Sequence, residues 1–154
     1  MIESEAIEIL LVEDNESDAE LTLHALERSK LINKIVRVDD GEKALDFLFC
    51  RGSFSDRHFT SPPRLILLDL KLPKVDGMQV LREVKSDPRT KPIPVILLTA
   101  SKEERDVVES YKLGVNSYIQ KPVNFMDFQD VVRQFGMYWL FVNIKPPGAA
   151  FSKP

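Results

Sequence analysis

The chain has 154 residues, of which 44% are hydrophobic and 29% charged, and its formal net charge at pH 7 is −3. This length allows one domain with a substantial core but not two, and the weak negative charge argues against a nucleic-acid or anionic membrane partner. No apolar run reaches the ~18 residues that a membrane span needs. Cys50 is the only cysteine, so no disulfide can form within the chain and we expect a reducing, cytoplasmic location.

Short apolar segments alternate with amphipathic segments along most of the chain. The predicted strands are 7–12, 34–38, 65–68, 94–98 and 117–119, and the predicted helices begin near residues 15, 41, 77, 103 and 124. Unbroken apolar strands are typical of a parallel sheet that is buried on both faces, and parallel strands need right-handed crossovers. The sequence therefore predicts an α/β fold, a three-layer doubly wound five-stranded parallel sheet with the flavodoxin-like order 2-1-3-4-5.

Two kinds of connection stand out between these elements. Residues 51–63 form a polar stretch with glycine, serines and two prolines. Because it is longer than the usual ~4–6 residues, we expect a mobile surface loop there. Acidic residues precede Gly41 and Gly77, and we interpret Asp39, Asp40 and Asp76 as turn residues rather than as ligands.

Four of the five predicted strands end in a polar group: Glu13 and Asp14 after the first strand, Asp69 after the third, Thr99 after the fourth and Lys121 after the fifth. In a parallel sheet these ends share one rim, and the predicted order places the first and third strands side by side. Three adjacent carboxylates need a counter-charge, which a divalent cation can supply. Oxygen ligands without clustered His or Cys favour Mg²⁺, with Mn²⁺ possible, over Zn²⁺.

A carboxylate, a cation, a hydroxyl and a lysine together form a site for a phosphoryl group. In this interpretation Asp69 attacks the phosphorus and carries an aspartyl phosphate. The cation and Lys121 neutralise the charge that develops during the transfer, and Thr99 offers a hydroxyl.

These residues, in this order along residues 7–136, resemble the receiver domain of two-component response regulators, which accept a phosphoryl group and are not enzymes in their own right. The resemblance implies that a phosphohistidine on a sensor histidine kinase transfers its phosphoryl group to Asp69. It implies that Mg²⁺ is bound by Asp14, Asp69 and the backbone carbonyl of Lys71. Glu13 would act on the ion through water.

The same resemblance implies a conformational switch. Thr99 and Tyr118 would form the switch pair, and the Lys121–Pro122 peptide would be cis. The loop at 51–63, the run 69–73, the segment 98–101 and the aromatic tail are similar to the stand-alone regulators that are paired with cyanobacterial phytochromes. This closer similarity implies that the partner kinase is a phytochrome.

The C-terminal segment 137–144 is densely apolar and is followed by two prolines and a glycine. It supplies more apolar surface than one helical stripe can bury, which is typical of an interface. We therefore predict a two-fold homodimer with Tyr138, Trp139 and Phe141 in the contact. The alternative is that this segment packs on its own domain.

The predicted domain layout has three parts. Residues 1–6 form an N-terminal tail, 7–136 the receiver-like domain, and 137–154 an apolar extension with a frayed end. No length remains for a DNA-binding output domain.

Three other functions stay open at this stage. A phosphatase with an aspartate nucleophile would need a second aspartate two residues after Asp69 as acid or base, but Lys71 occupies that position. A binding module that never carries phosphate would not need Asp69, Thr99 and Lys121 together. A chemotaxis or motility regulator, or a phosphorelay intermediate, would share all of these residues.

Overall fold

The computed structural model describes residues 8–28, 34–100, 109 and 111–134. Five parallel strands form one sheet in the order β2-β1-β3-β4-β5, which confirms the predicted fold. The strands are β1 (Glu8–Val12), β2 (Lys34–Val38), β3 (Leu65–Asp69), β4 (Val95–Thr99) and β5 (Ser117–Gln120). The described helices are α1 (Glu16–Glu27), α2 (Gly41–Leu48), α3 (Gly77–Ser86) and α4 (Phe125–Gln134).

Helices cover both faces of the sheet, and the strands feed two separate core layers. Ile9 and Leu11 of β1 pack in one layer, in which Phe128 of α4 is fully buried. The alternate residues Leu10 and Val12 pack in the other layer with α2 and α3. Successive side chains of a strand point to opposite faces of the sheet. A strand that has a core layer on each face must therefore be apolar throughout.

Three helices begin with the side-chain caps that their sequences predict. Asn15 accepts a hydrogen bond from the backbone N–H of Asp18 at 2.9 Å. Asp40 and Asp76 do the same at the starts of α2 and α3, at 2.7 and 2.9 Å. These contacts satisfy orphan N–H groups at the helix ends, and they confirm Asp40 and Asp76 as turn residues.

Some details differ from the sequence-based prediction. The sequence predicts Ala19, Leu23 and Leu26 on the buried stripe of the first helix. Ala19 and Leu26 are buried, together with Thr22 and Ala25, whereas Leu23 is only partly buried. Helix positions rotate by 100° per residue, so the docking angle on the sheet decides which neighbouring positions are covered. The predicted polar helix at 103–112 and the tail with Tyr138, Trp139 and Phe141 lie wholly or mostly outside the described residues.

The 51–63 connection packs against the sheet and does not simply project from it. It contains a short 3-10 turn, Gly52–Phe54. Arg57 donates to both carboxylate oxygens of Glu8 on β1, at 2.8 and 3.3 Å, and lies over the ring of Phe47 at 3.6 Å. Phe54 packs edge-on against the same ring. The two-hydrogen-bond ion pair of Arg57 with Glu8 and the aromatic pair of Phe54 with Phe47 therefore hold this loop against the core.

Within the described residues, no helix combines the length and the apolar character needed to cross a bilayer.

Candidate functional site

The carboxyl ends of β1 and β3 bring three acidic residues together. One carboxylate oxygen each from Glu13, Asp14 and Asp69 lies within 4.8 Å of the other two. Glu13 and Asp69 are buried while Asp14 is exposed, so the cluster opens to solvent on one side. The adjacency follows from the strand order, since β1 pairs directly with β3, and it matches the sequence-based expectation.

Lys121 reaches this cluster from the end of β5. Its Nζ is 2.7 Å from Oε1 of Glu13, 2.9 Å from Oδ2 of Asp69 and 3.1 Å from Oδ2 of Asp18. The lysine side chain is only 10% exposed, so the ammonium group relies on these carboxylates rather than on water. The peptide between Lys121 and Pro122 is cis, as the family resemblance implies.

The electrostatics of the site are dominated by burial and by carboxylate pairing. Burial raises the pKa of Glu13 to about 7, and the neighbouring charge of Asp69 adds to this effect while Lys121 opposes it. Burial alone would lower the pKa of Lys121, but the contacts of its ammonium group with the carboxylates of Glu13 and Asp69 outweigh this effect and raise the pKa. Lys121 therefore stays protonated at neutral pH. Its single positive charge does not balance the charges of the surrounding carboxylates.

Backbone groups hold the acidic side chains in place. The N–H of Asn15 donates to Oε2 of Glu13 at 3.2 Å, and the N–H of Lys71 donates to Oδ1 of Asp69 at 3.2 Å. From the neighbouring strand, Arg37 donates to the backbone carbonyl of Glu13 at 2.9 and 3.1 Å. Glu13 is thus held both by β2 and by the backbone of Asn15 just before α1.

Gly77 allows α3 to start directly against the end of β3. Its N–H donates to the carbonyl oxygen of Leu70 at 2.9 Å. A Cβ atom at this position would overlap the carbonyl oxygen of Asp69 and the Cα of Leu70. Only glycine permits this approach, which shapes the backbone immediately after Asp69.

The two predicted switch residues lie on adjacent strands with opposite exposure. Thr99 is buried and lies one residue beyond Leu98, the register partner of Asp69. Tyr118 is 41% exposed and packs edge-on against Tyr111, with ring centroids 6.2 Å apart. Thr99 therefore ends the strand next to Asp69, while Tyr118 points to the outer face of β5.

The residues present fit a hard divalent cation. All three acidic groups offer oxygen, which is the ligand type that Mg²⁺ and Mn²⁺ prefer. Oε1 of Glu13 is buried and, within the described residues, makes no hydrogen bond of good geometry, although it forms the close ion pair with Lys121. A buried carboxylate oxygen with spare acceptor capacity beside two further carboxylates is suited to a cation or to its bound water.

Sequence reasoning missed two residues at this site. The sequence indicates Asp18 only as an acid in the first turn of the first helix, and Arg37 only as a residue of the second strand. Neither belongs to a local motif, because Asp18 meets Lys121 across 103 residues and Arg37 meets Glu13 across 24. No signal in the sequence indicates either contact.

A strand-end acidic cluster with a lysine, on a five-stranded parallel sheet, defines a receiver-type protein. The model of the family described as "Response regulator receiver domain" matches residues 9–133. The chain belongs to this family.

Three similar proteins narrow the comparison. The chain is 43% identical over 133 residues to the response regulator Rcp1 of Synechocystis, which covers 86% of this chain and 88% of Rcp1. It is 42% identical over 142 residues to the probable methanogenesis regulatory protein FilR2 of Methanothrix harundinacea, covering 92% and 88% of the two chains. The solved structure of the bacteriophytochrome response regulator RtBRR is 50% identical, with a TM-score of 0.81 and coverage of 96% and 90%.

A solved Mn²⁺-bound form of Rcp1 is 40% identical to this chain, with a TM-score of 0.74 and coverage of 90% and 98%. The chain is thus a receiver domain homologous to phytochrome response regulators, as the sequence-based resemblance predicted.

Proposed function

We propose that Asp69 accepts a phosphoryl group from a phosphohistidine of a sensor histidine kinase and that the chain acts in phosphorelay signalling. The observation that carries this proposal is the contact between Lys121 Nζ and Asp69 Oδ2 at 2.9 Å, beside two further carboxylates. An oxygen of Asp69 forms the new bond to phosphorus as the bond from phosphorus to the imidazole nitrogen breaks. The nitrogen keeps the electron pair, and the histidine leaves as neutral imidazole because the other ring nitrogen of the phosphohistidine is protonated before the bond breaks.

We propose Mg²⁺, or Mn²⁺ in its place, as the cofactor. Asp14, Asp69 and the backbone carbonyl of Lys71 would hold the ion directly, and Glu13 would act through a bound water. The ion would neutralise the charge on the transferred phosphoryl oxygens. The oxygen-only donor set and the Mn²⁺ ion bound in the homologue Rcp1 support this assignment.

The chain's own residues do the rest of the work. The Lys71 N–H donates to Oδ1 of Asp69 and orients the carboxylate. The Lys121 ammonium can follow the charge from the Asp69 oxygen to the phosphoryl oxygens. Lys71 stands where an aspartate-nucleophile phosphatase would need its acid or base, so we propose a phosphoacceptor rather than such an enzyme.

We propose that phosphorylation is read out through Thr99 and Tyr118. The buried Thr99 hydroxyl would move to a phosphoryl oxygen, and Tyr118 would leave its exposed position for the space that Thr99 vacates. A complete population shift needs about 5.5 kcal/mol, which a few charge-assisted hydrogen bonds of ~1.5–3 kcal/mol can supply. If the environment of the Tyr118 ring does not change when beryllofluoride and Mg²⁺ are added, the proposed coupling between phosphorylation and Tyr118 is wrong.

We propose a phytochrome as the partner kinase, because this chain is homologous to the response regulators RtBRR and Rcp1. The similarity to FilR2, a probable methanogenesis regulatory protein, is the specific observation that favours a different kinase. In either case we expect the protein in the cytoplasm, where ATP supplies sensor kinases with phosphoryl groups.

The decisive experiment is phosphotransfer from a panel of purified sensor kinases that includes a phytochrome. We expect an added mass of about 80 Da, one phosphoryl unit, that is lost in Asp69→Asn. Asp76→Asn is the matched control, because Asp76 only caps α3 and asparagine preserves a cap. Absence of an Asp69-dependent adduct with every kinase and with acetyl phosphate would refute the proposed function.

We further propose a two-fold homodimer through Tyr138, Trp139 and Phe141 in the 137–154 extension. These residues lie outside the described part of the chain, so the proposal depends on their apolar sequence alone. Analytical ultracentrifugation of Trp139→Ala against the unmodified chain at micromolar concentration tests it. We expect a lower mass for the variant, and equal masses would contradict the dimer contact.

A further inference from the structure

Lys121 has one carboxylate partner that is not part of the three-acid cluster. An ammonium group has three N–H donors, and here three carboxylates surround it. Two of these belong to Glu13 and Asp69 at the strand ends. The third belongs to Asp18, in the first turn of α1, at 3.1 Å.

Asp18 differs from the other two partners in exposure. Its side chain is 35% exposed, whereas those of Glu13 and Asp69 are 0% and 7% exposed. The cap from Asn15 fixes the backbone of Asp18, so the carboxylate is presented to Lys121 by a rigid turn. Water can replace Lys121 at Asp18 far more readily than at the two buried acids.

Lys121 Nζ donates hydrogen bonds to Asp69 and Asp18 and forms a close ion pair with Glu13. A phosphoryl group on Asp69 must therefore compete for the ammonium group with carboxylates that already contact it. As the ammonium moves from the Asp69 oxygen towards the phosphoryl oxygens, it must also loosen its contact with Glu13 or with Asp18. The contact that costs least to break is the one whose acid water can solvate, which is Asp18.

We propose that Asp18 is a positioning residue that competes with the phosphoryl group for Lys121 and thereby limits how tightly the site holds that group. The inference rests on the proposed function, because it concerns the phosphorylated form of Asp69. It predicts that removing the Asp18 carboxylate strengthens phosphoryl binding.

Three variants separate this effect from a general one. Asp18→Asn keeps the shape but removes the charge, and Asp18→Glu restores a carboxylate. Glu16→Gln is the matched control, because Glu16 is an exposed acid in the same first turn of α1. Both charge removals weaken the favourable interaction with the helix dipole, but only the change at Asp18 affects a partner of Lys121.

The readout is the affinity for beryllofluoride, a phosphoryl mimic, at saturating Mg²⁺, with Mg²⁺ affinity and urea denaturation measured separately. We expect Asp18→Asn to bind beryllofluoride about twofold to fivefold tighter, the range set by a partly exposed ion pair. Asp18→Glu and Glu16→Gln should match the unmodified chain in beryllofluoride affinity. Asp18→Asn should lose more stability towards urea than Glu16→Gln, because it also loses the ion pair with Lys121.

The outcomes distinguish this inference from the proposed function. If the unmodified chain shows no beryllofluoride binding that depends on Asp69, the proposed function fails and this inference fails with it. If that binding is present but Asp18→Asn binds no tighter, only the role of Asp18 is overturned. Equal tightening in Glu16→Gln would also overturn it, since general charge removal would then be the cause.

Discussion

Arg37 on β2 donates two hydrogen bonds, from Nε at 3.1 Å and Nη2 at 2.9 Å, to the backbone carbonyl of Glu13. The N–H of Glu13 in turn donates to the carbonyl of Val38 at 3.0 Å. Both backbone groups of Glu13 are thus held by the edge strand. Groups that orient a ligand without touching the metal are a common determinant of metal affinity.

We expect Arg37→Met to weaken Mg²⁺ binding by about tenfold, the lower end of the range for loss of an orienting partner. Methionine keeps apolar bulk but removes both donors, so the turn that carries Glu13 and Asp14 becomes less ordered. Isothermal titration calorimetry measures the effect. Lys34→Met is the control, because Lys34 lies on the same strand and pairs with Glu8. Equal affinities in the two variants would contradict this role.

Lys121→Met should destabilise the metal-free protein by about 3 kcal/mol, because it leaves buried acids without their cation. The free energy of unfolding in urea with a chelator measures this loss. Adding Mg²⁺ should restore part of the lost stability, since the metal ion then balances the charges of Glu13, Asp14 and Asp69.

The control for this prediction is Lys74→Met. Lys74 is 60% exposed and lies 3.7–3.8 Å from Glu42 and Asp40, so its loss should change stability by less than ~0.5 kcal/mol. A Lys121 variant as stable as this control would show that the buried acids do not depend on the ammonium group.

Gly77→Ala should lower stability by about 1–3 kcal/mol, although alanine is the better helix former. The added Cβ would overlap backbone atoms of Asp69 and Leu70, which cannot move without displacing β3. Arg82→Ala on the exposed side of the same helix should be nearly neutral. Thermal unfolding of the two variants tests the point, and a stabilised Gly77→Ala would show that the close approach is not required.

Lys85 makes the free energy of unfolding vary with pH in the alkaline range. Burial, together with the charge of Lys91, lowers the pKa of Lys85 from 10.5 to about 8, although its Nζ donates to the carbonyls of Lys91 and Ile93. Between these two values the unfolded chain binds the extra proton, so stability rises with pH. Below pH 8 both states are protonated and the full cost of burying the charge is present.

We expect the free energy of unfolding to rise by about 1–2 kcal/mol from pH 8 to pH 10. This is less than the whole pKa shift would give, because the Lys85 side chain is partly exposed. Urea denaturation across this range measures it as a difference from Lys85→Met, which should lack the gain. Lys91→Gln should move the window upward, because one positive charge is removed. A parallel pH dependence in Lys85→Met would assign the effect to other groups.

Most of the fold could be predicted from the sequence. The strands β2 and β3 were predicted within one residue, because unbroken apolar runs such as 65–68 have one plausible environment in a protein of this size. Residues 51–63 were predicted only as a polar, mobile surface loop. The ion pair of Arg57 with Glu8 joins residues 49 apart, and no local pattern indicates such a pair.

The site shows the same division. The placement of Glu13, Asp14, Asp69, Thr99 and Lys121 at one rim could be predicted because each lies at the end of a predicted strand, and parallel strands bring those ends together. The amino-acid order was sufficient for that, since strand type and polarity are local properties. Which carboxylates share the ammonium group of Lys121, and which side chain holds the carbonyl of Glu13, were decided only by the tertiary structure. Such contacts join distant parts of the chain, and their geometry depends on packing angles and burial that local sequence patterns do not encode.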